Sequence, residues 1–593
     1  MKIIRHISLA ALLIATLSSV SAQENGAYNE SVVVKGSYRP VIEQQTKLSF
    51  PAVVTDTLGR LEHDFSYSIS PSRLRALYEP SRIKAARIIG EPATKLYNNY
   101  LRLGFGNYWT PLADLYWSST RDKKKTYGIR INHLSSWDKL PDYGPNHFGN
   151  TGVTLFGKYI VADKLQLATD VSYEHDHNLY YGFTDSTLQA VMGTSRDGIY
   201  IADYRASYNL AQWNIGLRNM QLDPNKLGYA VNVHLSDLWG VYGQNEFNAN
   251  IGGDIHYGFN IKDQYKGIAY LRLEWDHYNN LTPDNEMPLG YLATQVGDKF
   301  AGNIVKINPY IDFIFRGLQF RTGLLAGWDG YSARGSAVKK TCFFPDVTVS
   351  KKLMRDNLVL SLAATGGIEA SSLNSLRLVN PYITPNEGGN SALLHYDFIA
   401  HARWTLSKKL EANAEVGYSL LRNDIIFAID PDYSLGNVFL PQNIDDNRLT
   451  AGATISFVND EMLTLRAGGH YYNYNIVGES TLTRMPYRPD WDTLLAADVN
   501  YHDKWIFHLE GRLLGNMVGS KFQSGSATPS LVNTEVLPVR YGVAAEVEYR
   551  HNRALSFFLR MDNLAFQRYW YWDNYPSQRG LFIAGLTYTI PHK

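Results

Sequence analysis

Apolar and polar residues alternate in segment after segment from about Tyr97 to Ile590, and the connections between segments are short, then long, in rotation. A period of two puts one set of side chains on each face of a strand, and rotating connection lengths place short and long turns at opposite ends of a sheet. In the last segment Phe582, Ala584, Leu586, Tyr588 and Ile590 share one face, and Ile583, Gly585, Thr587 and Thr589 share the other. The segment before it sets Leu555, Phe557, Leu559 and Met561 against Ser556, Phe558, Arg560 and Asp562. Charges inside an apolar strand need somewhere wet to point. The pattern is that of a transmembrane β-barrel, with lipid outside and a polar lumen within.

Composition narrows the class. No stretch after the first 23 residues approaches the roughly 18–20 apolar residues that a spanning helix needs, so membrane residence must come from strands. The 41 Tyr and 12 Trp suit aromatic girdles at the two membrane interfaces, although a soluble carbohydrate-binding sandwich would use them too. No break in composition after residue 97 marks a linker, which favours one continuous architecture over several domains.

The amino terminus reads as a targeting segment. Lys2 and Arg5 form a basic start, Ile7 to Leu17 an apolar stretch, and Val20-Ser21-Ala22 a small-residue cleavage site before Gln23. Residues 1–22 are therefore expected to be a signal peptide, residues 23–96 a short plug-like or periplasmic segment, and residues 97–593 the barrel. Without Lys2 and Arg5 the formal net charge moves from +1 to −1, which argues against a nucleic-acid partner. Cys342 is the sole cysteine, so an internal disulfide and a thiolate metal site are both excluded.

Strand number follows from the turns. Short turns rich in Asp, Asn, Lys and Gly fall at Arg121 to Lys125, Val161 to Lys164, Asp223 to Lys226, Asn260 to Gln264, Arg316-Gly317, Met354 to Asn357, Leu406 to Lys409, Val458 to Glu461, His502 to Lys504 and His551 to Arg553. These ten turns alternate with eleven other connections, most of them longer, which gives 22 strands and leaves both termini in the periplasm. Ile199 to Leu210 also has a strand-like pattern. Counting it separately would give 23, so it is assigned to a long extracellular excursion spanning Asp176 to Ala211. The predicted fold is all-β: a 22-stranded antiparallel transmembrane outer-membrane β-barrel with a short N-terminal periplasmic or lumenal segment. A barrel this wide cannot fill itself with side chains, and its class typically holds a plugged lumen.

Polar faces of the strands carry Arg272, Glu274, Asp276, Glu411, Glu415, Arg466, Asp498, Glu510, Arg512, Glu546, Glu548, Arg550 and Arg560, expected to face the lumen. They can pair with one another or with an inserted segment, and a merely solvated wall is the plainer reading. The segment Glu24 to Leu96 supplies Arg73, Arg75, Arg82, Lys84, Arg87 and Lys95 against Glu79 and Glu91. It is expected inside the barrel or at its periplasmic mouth, with an ordinary periplasmic tail as the equal alternative.

Two end motifs carry a family resemblance. Asp562-Asn563-Leu564, Tyr569 to Trp572, Tyr575-Pro576, Arg579-Gly580 and Leu581 to Tyr588 look like the closing hairpin of the TonB-dependent receptors of Bacteroidetes type, and Ser31-Val32-Val33-Val34 resembles the Val-rich run at which their energising partner binds. Seventy-three residues between Glu24 and Leu96 are fewer than the family's plugs, and Arg87-Ile88-Ile89-Gly90 only loosely echoes their Ile-Arg-Gly motif. The carboxyl end runs on to Lys593 instead of stopping at an aromatic residue. The resemblance implies an outer-membrane location, lipid around the barrel, a TonB-type energising protein or a periplasmic or lipoprotein partner, and transport of a solute. The rival is a non-transporting barrel that acts as a scaffold or assembly component of the envelope.

No residue set suggests an enzyme, a cofactor or a metal. His175 and His177 would share a strand face, but at an interface where polar aromatics are ordinary. Asp430, Asp432, Asp445 and Asp446 lack the spacing of a calcium loop, which gathers roughly six to eight oxygens. The long loops, with Tyr180, Tyr181, Tyr382, Asn386, Asn390 and Tyr433, are expected to form a substrate vestibule or a docking surface.

Overall fold

The computed structural model describes residues 98–590 except 120–121, 221–224, 262–264, 282–298, 334–335, 385–389, 460–461 and 524–529. Alternation decides the faces, as the strand Tyr265–Leu281 illustrates. Leu271, Leu273 and Trp275 are exposed on one side, while Arg272, Glu274 and Asp276 point to the other, where Lys306 pairs with the two carboxylates. The same parity puts Trp505, Phe507, Leu509 and Leu513 outward on Trp505–Leu514, against His508, Glu510 and Arg512.

Twenty-two strands close into one antiparallel cylinder. The first, Asn99–Gly106, pairs with both Thr110–Ser118 and the last, Leu581–Tyr588, so the wall has no free edge. Closure there is tight because glycines face each other. Gly104 lies opposite Gly585 in register, and a Cβ at Gly106 would stand 2.6 Å from the carbonyl oxygen of Phe582. The Phe558 ring covers Gly104 and Gly585 from inside, packed with Leu112 and Ile583. An aromatic laid over strand glycines supplies the packing that those residues lack. Arg102 stacks on Phe558 at 3.9 Å and bonds Glu546 at 2.8 Å, which ties the seam to its neighbours.

At one end, the turn end, the connections are tight. Ala162-Asp163, Arg316-Gly317 and His502-Asp503 all have positive φ, between 50° and 76°, the backbone that matches the twist of adjoining strands in two-residue hairpins. Trp117 with Tyr127, and Trp505 with Tyr549, form ring pairs near this end. Tyr173 and Trp239 pair near the other, the loop end. Apolar outward residues fill the band between, and no described helix is long and apolar enough to cross a membrane. The crossing is made by strands.

Several strands run further than the sequence expectation: Gly330 to Ala333 and Ser336 to Lys340, expected as a connection, are paired with each other, and the excursion Asp176 to Ala211 is shortened from both ends. Arg205–Asn219 is a wall strand from its first residue, with Arg205 opposite Leu179. Residues 176–179 and 205–211, assigned above to an extracellular excursion, are the upper parts of two paired wall strands, and only residues 180–204 form the loop. The strand count is unaffected, because these are extensions of strands already counted. Buried Ala206, Tyr208 and Leu210 explain why the alternation ran on past the membrane: they face a second apolar core.

Leu509, 49% exposed, stands midway between Trp505 and Leu513 on the outer face. Leu509→Arg is expected to lower unfolding free energy in lipid by about 2–4 kcal/mol, against less than about 1 kcal/mol for Ala544→Arg, which faces Glu510 across the ladder on the inner side. Denaturant unfolding from bilayers measures both; equal losses would reverse the assignment of faces.

Candidate functional site

The inner wall is a lattice of charges that neutralise one another. Lys306 reaches Glu274 and Asp276 at 3.2 Å each, and Asn250 donates to both carboxylates. Arg272 lies over the Tyr310 ring at 5.8 Å. Glu411 meets Arg403 at 3.0 Å, Glu415 lies 3.8 Å from His470, and Arg466 bonds Asp498 at 3.0 Å. Glu510 holds Arg512 at 2.6 Å, Glu546 holds Arg102, Glu548 lies 3.7 Å from Arg550, and Arg560 bonds Asp562 at 2.9 Å. These residues therefore lie on the face opposite the outward apolar band, each beside an opposite charge or an aromatic ring. Lys306, Arg102 and the two-bond pair Arg321–Asp312, at 2.9 and 3.1 Å, complete the lattice. Strand parity would have found them, since Ile307 and Ile311 mark the outer face of Lys299–Phe315 and so place Lys306 and Asp312 inside.

Two recesses open along this wall. One of about 620 Å³ near the turn end is lined by Ile268, Asp312, Ile314 and Arg321, and one of about 300 Å³ by Arg272, Lys306, Arg321 and His395. Ser31, Val32, Val33 and Val34 lie outside the described residues. His175 bonds Asn209 at 2.9 Å, with its ring 5.9 Å from that of His177, and no group of metal-holding side chains occurs among the described residues.

The loop end holds what the alternation did not reveal. Its connections pack into one buried core that includes Tyr180, Tyr181, Tyr204, Tyr433, Phe439 and Tyr575. Tyr382 and Tyr575 stack at 3.6 Å, and Tyr181 meets Tyr575 edge-on at 5.0 Å. Every hydroxyl needs a partner once the ring is buried. Tyr180 donates to Ile383 O at 2.8 Å, Tyr181 to Pro576 O at 2.9 Å, and Tyr575 to Asn437 O at 2.5 Å. Asn437 in turn donates to Tyr180 O at 3.1 Å.

That last bond fixes the geometry. Tyr180 follows the fifth strand of the ring, Leu165–Leu179, whereas Asn437 belongs to the connection between the fifteenth and sixteenth, Leu410–Ile429 and Phe439–Asn459. In a ring of 22 these stand on opposite sides, roughly 40 Å apart at the wall for strands spaced about 4.8 Å and tilted about 40°. The loops thus meet across the mouth as a lid.

Local sequence builds its parts. Ser372 and Ser375 form a reciprocal cap on the helix Leu373–Val379, whose first amides also reach Glu246, from Leu373 at 2.5 Å and Asn374 at 3.0 Å. Arg377 on that helix bonds Asp176 at 3.1 Å. At Leu421/Asp424 the register shifts, Asn423 takes φ 58°, and the hairpin beyond leaves the wall. Its strand ends beside Met517–Phe522, a parallel neighbour at Ile429 and Lys521, with Ser520 bonding Phe427 O. Met517–Phe522 and Leu531–Leu537 are the two strands of the sheet that lie outside the cylinder.

Burial leaves its mark on the lid's acids. Burial pushes the Asp430 carboxyl up to about 6, and raises Asp573 even though Tyr487 and Thr534 hydroxyls donate to it. Removing one hydroxyl from this network should loosen it locally. Tyr575→Phe leaves Asn437 O without its donor and is expected to destabilise the lid by about 1–3 kcal/mol, seen as faster hydrogen exchange over residues 430–438 with the unfolding of the wall unchanged.

A closed 22-strand cylinder with an apolar belt outside, charged side chains inside and packed loops at one end has the fold of outer-membrane receptor barrels. Solved structures share the architecture. The ferric-catecholate import receptor Fiu from Escherichia coli K12 superposes with a TM-score of 0.61 at 11% identity, covering 84% of this chain and 82% of that one. The FrpB iron transporter from Neisseria meningitidis gives 0.60 at 10%, covering 84% and 82%, and the ferric enterobactin receptor PfeA from Pseudomonas aeruginosa 0.57 at 12%, covering 83% and 80%. At these identities the likeness is one of fold, and the fold is that of the TonB-dependent receptors whose motifs the two ends resemble. No family model and no curated protein matches the chain.

Proposed function

We propose that this chain is an outer-membrane receptor-like transporter of a solute, with its loop end towards the exterior and its turn end and both termini in the periplasm. Residues 1–22 direct export, residues 23–96 act as a reduced plug, and Ser31 to Val34 are the contact for a TonB-type energising protein. The observation that carries the reading is the pairing of an ionised, self-neutralised interior with a lid that spans the opposite walls. A barrel that only filled space would have no use for a wet interior, and a simple pore would have no use for a lid. The neighbours in fold include receptors and transporters of iron complexes, which supports passage through this kind of cylinder. The charges Arg272, Glu274, Asp276, Arg466, Glu510 and Glu546 then line the path, and their mutual pairing keeps it from holding a solute of either sign too tightly.

A scaffold role is favoured by one feature, the dense tyrosine packing of the lid, which resembles a docking platform as much as a gate. Conductance in planar bilayers separates the readings. The intact chain is expected to be silent, and a variant with Tyr180→Ala, Tyr575→Ala and residues 24–96 removed should give large open steps. Silence from that doubly opened protein would leave the scaffold as the better account.

A further inference from the structure

One buried cluster of four charges joins the connection 477–490 to the lid hairpin and to the wall strand Phe439–Asn459. Asp424 stands just past the register shift on Leu410–Ile429, and its carboxylate accepts from Arg488 at 2.5 and 2.9 Å and from Arg448 at 3.0 Å. Arg488 belongs to the connection 477–490 and also donates to Ile425 O at 3.2 Å. A single guanidinium thus clamps that loop onto the hairpin. Beside it Asp446, on Phe439–Asn459, has no exposed surface; neither of its carboxyl oxygens accepts from an N–H or hydroxyl donor, and its carboxyl lies against that of Asp424, within reach of a shared proton. Its cationic neighbour, Arg448, is 3.7 Å away, beyond hydrogen-bond reach, and the same guanidinium nitrogen bonds Asp424 at 3.0 Å.

An ionised carboxylate that is buried without donors is costly, and a proton removes the cost. The two acids are therefore unequal partners: Asp424 takes both guanidinium groups, and Asp446 is the one that must hold a proton. The level is above the hydrocarbon, since the outward positions here are the polar Asp445 and Asn447. From the other elements packed on the cluster come Tyr474, whose ring lies 5.1 Å from Arg448, and Asp490, engaged by Arg484 at 2.6 Å. Asp397, bonded to His395 at 2.6 Å, and Asp445, 3.8 Å from Arg422, complete the charged surroundings.

We infer that Asp446 and Asp424 form a proton-operated latch: one proton held on Asp446 keeps the Arg488 clamp closed, and its loss loosens the 477–490 connection and the lid hairpin. With both acids ionised, Arg448 is drawn towards Asp446 and Asp424 loses a donor. Burial, together with the neighbouring Asp424, pushes the Asp446 carboxyl up to about 7, with Arg448 and Arg488 pulling the other way. Burial likewise opposes ionisation of Asp424, but the bonds from Arg488 keep it below the ordinary carboxyl range. The sign follows. An acid raised in the closed form stabilises closure fully below its ordinary value near 4, and that stabilisation is lost as pH climbs from there through about 7.

The test follows hydrogen exchange of residues 477–490 in the full chain in lipid, corrected for the intrinsic chemical rate, from about pH 5 to about pH 8. An Asp430→Asn background removes a second lid carboxyl that burial raises to about 6, and Asp446→Asn in the same background isolates the contribution of Asp446 from that of Asp573. Opening is expected to rise by up to about tenfold per pH unit to about pH 7 and then level off. Asp446→Asn should flatten the profile at its protected end, and Arg488→Met should flatten it at its open end, with heat-modifiable gel mobility verifying an intact wall in each. A pH-independent profile in the parent, or an undiminished slope in Arg488→Met, overturns the latch. Because the readout is loop protection and not conductance, its failure is distinct from failure of the transport reading.

Discussion

Lipid supplies no hydrogen-bond partners, so every amide and carbonyl of a spanning segment must be satisfied by another segment, and a sheet can do that only by closing on itself. In this chain the requirement comes down to one seam, where the strand Asn99–Gly106 meets Leu581–Tyr588. Strands almost the whole chain apart in sequence must find each other there, and glycines at positions 104, 106 and 585 let the backbones approach while Phe558 fills the space above them. Everything else depends on this closure. The charges inside are tolerable only because a cylinder encloses water, and the lid has a mouth to cross only because the rim is a ring.

The wall was legible because its physics is periodic. Leu271, Leu273 and Trp275 alternate with Arg272, Glu274 and Asp276 for the same reason in every strand, and turn residues such as Arg316-Gly317 mark where direction reverses. The lid was not legible, because its core is assembled from residues that no local pattern relates. Tyr180, Asn437 and Tyr575 come from three connections, and nothing in their neighbouring sequence announces that they will share hydrogen bonds. The misassigned boundary at Arg205 arose where these two regimes overlap. Ala206, Tyr208 and Leu210 obey a strand's alternation, yet the medium they face is the lid's interior and not lipid.

The chain uses tyrosine in two distinct ways. On the outer wall Tyr173 and Tyr549 each set a ring against a tryptophan at the bilayer margin, and the Tyr173 hydroxyl donates to Asn209. In the lid Tyr180, Tyr181 and Tyr575 are buried, and their hydroxyls pin the carbonyls of Ile383, Pro576 and Asn437. The second use allows irregular backbone to be buried at all, since an unpaired carbonyl would otherwise need water.

The register shift at Asn423 separates two structural economies. Below it, Leu410 to Leu421 stay zipped to Asp446 to Phe457 in the wall; above it, Asp424 to Ile429 pair with Phe439 to Ile444 as an independent hairpin. Because the ladder is interrupted there, the pairing of the hairpin is separate from that of the cylinder, and the cylinder keeps all of its own. Motion at the mouth is thereby insulated from the integrity of the membrane-embedded cylinder, and sequence change in one can proceed without loosening the other.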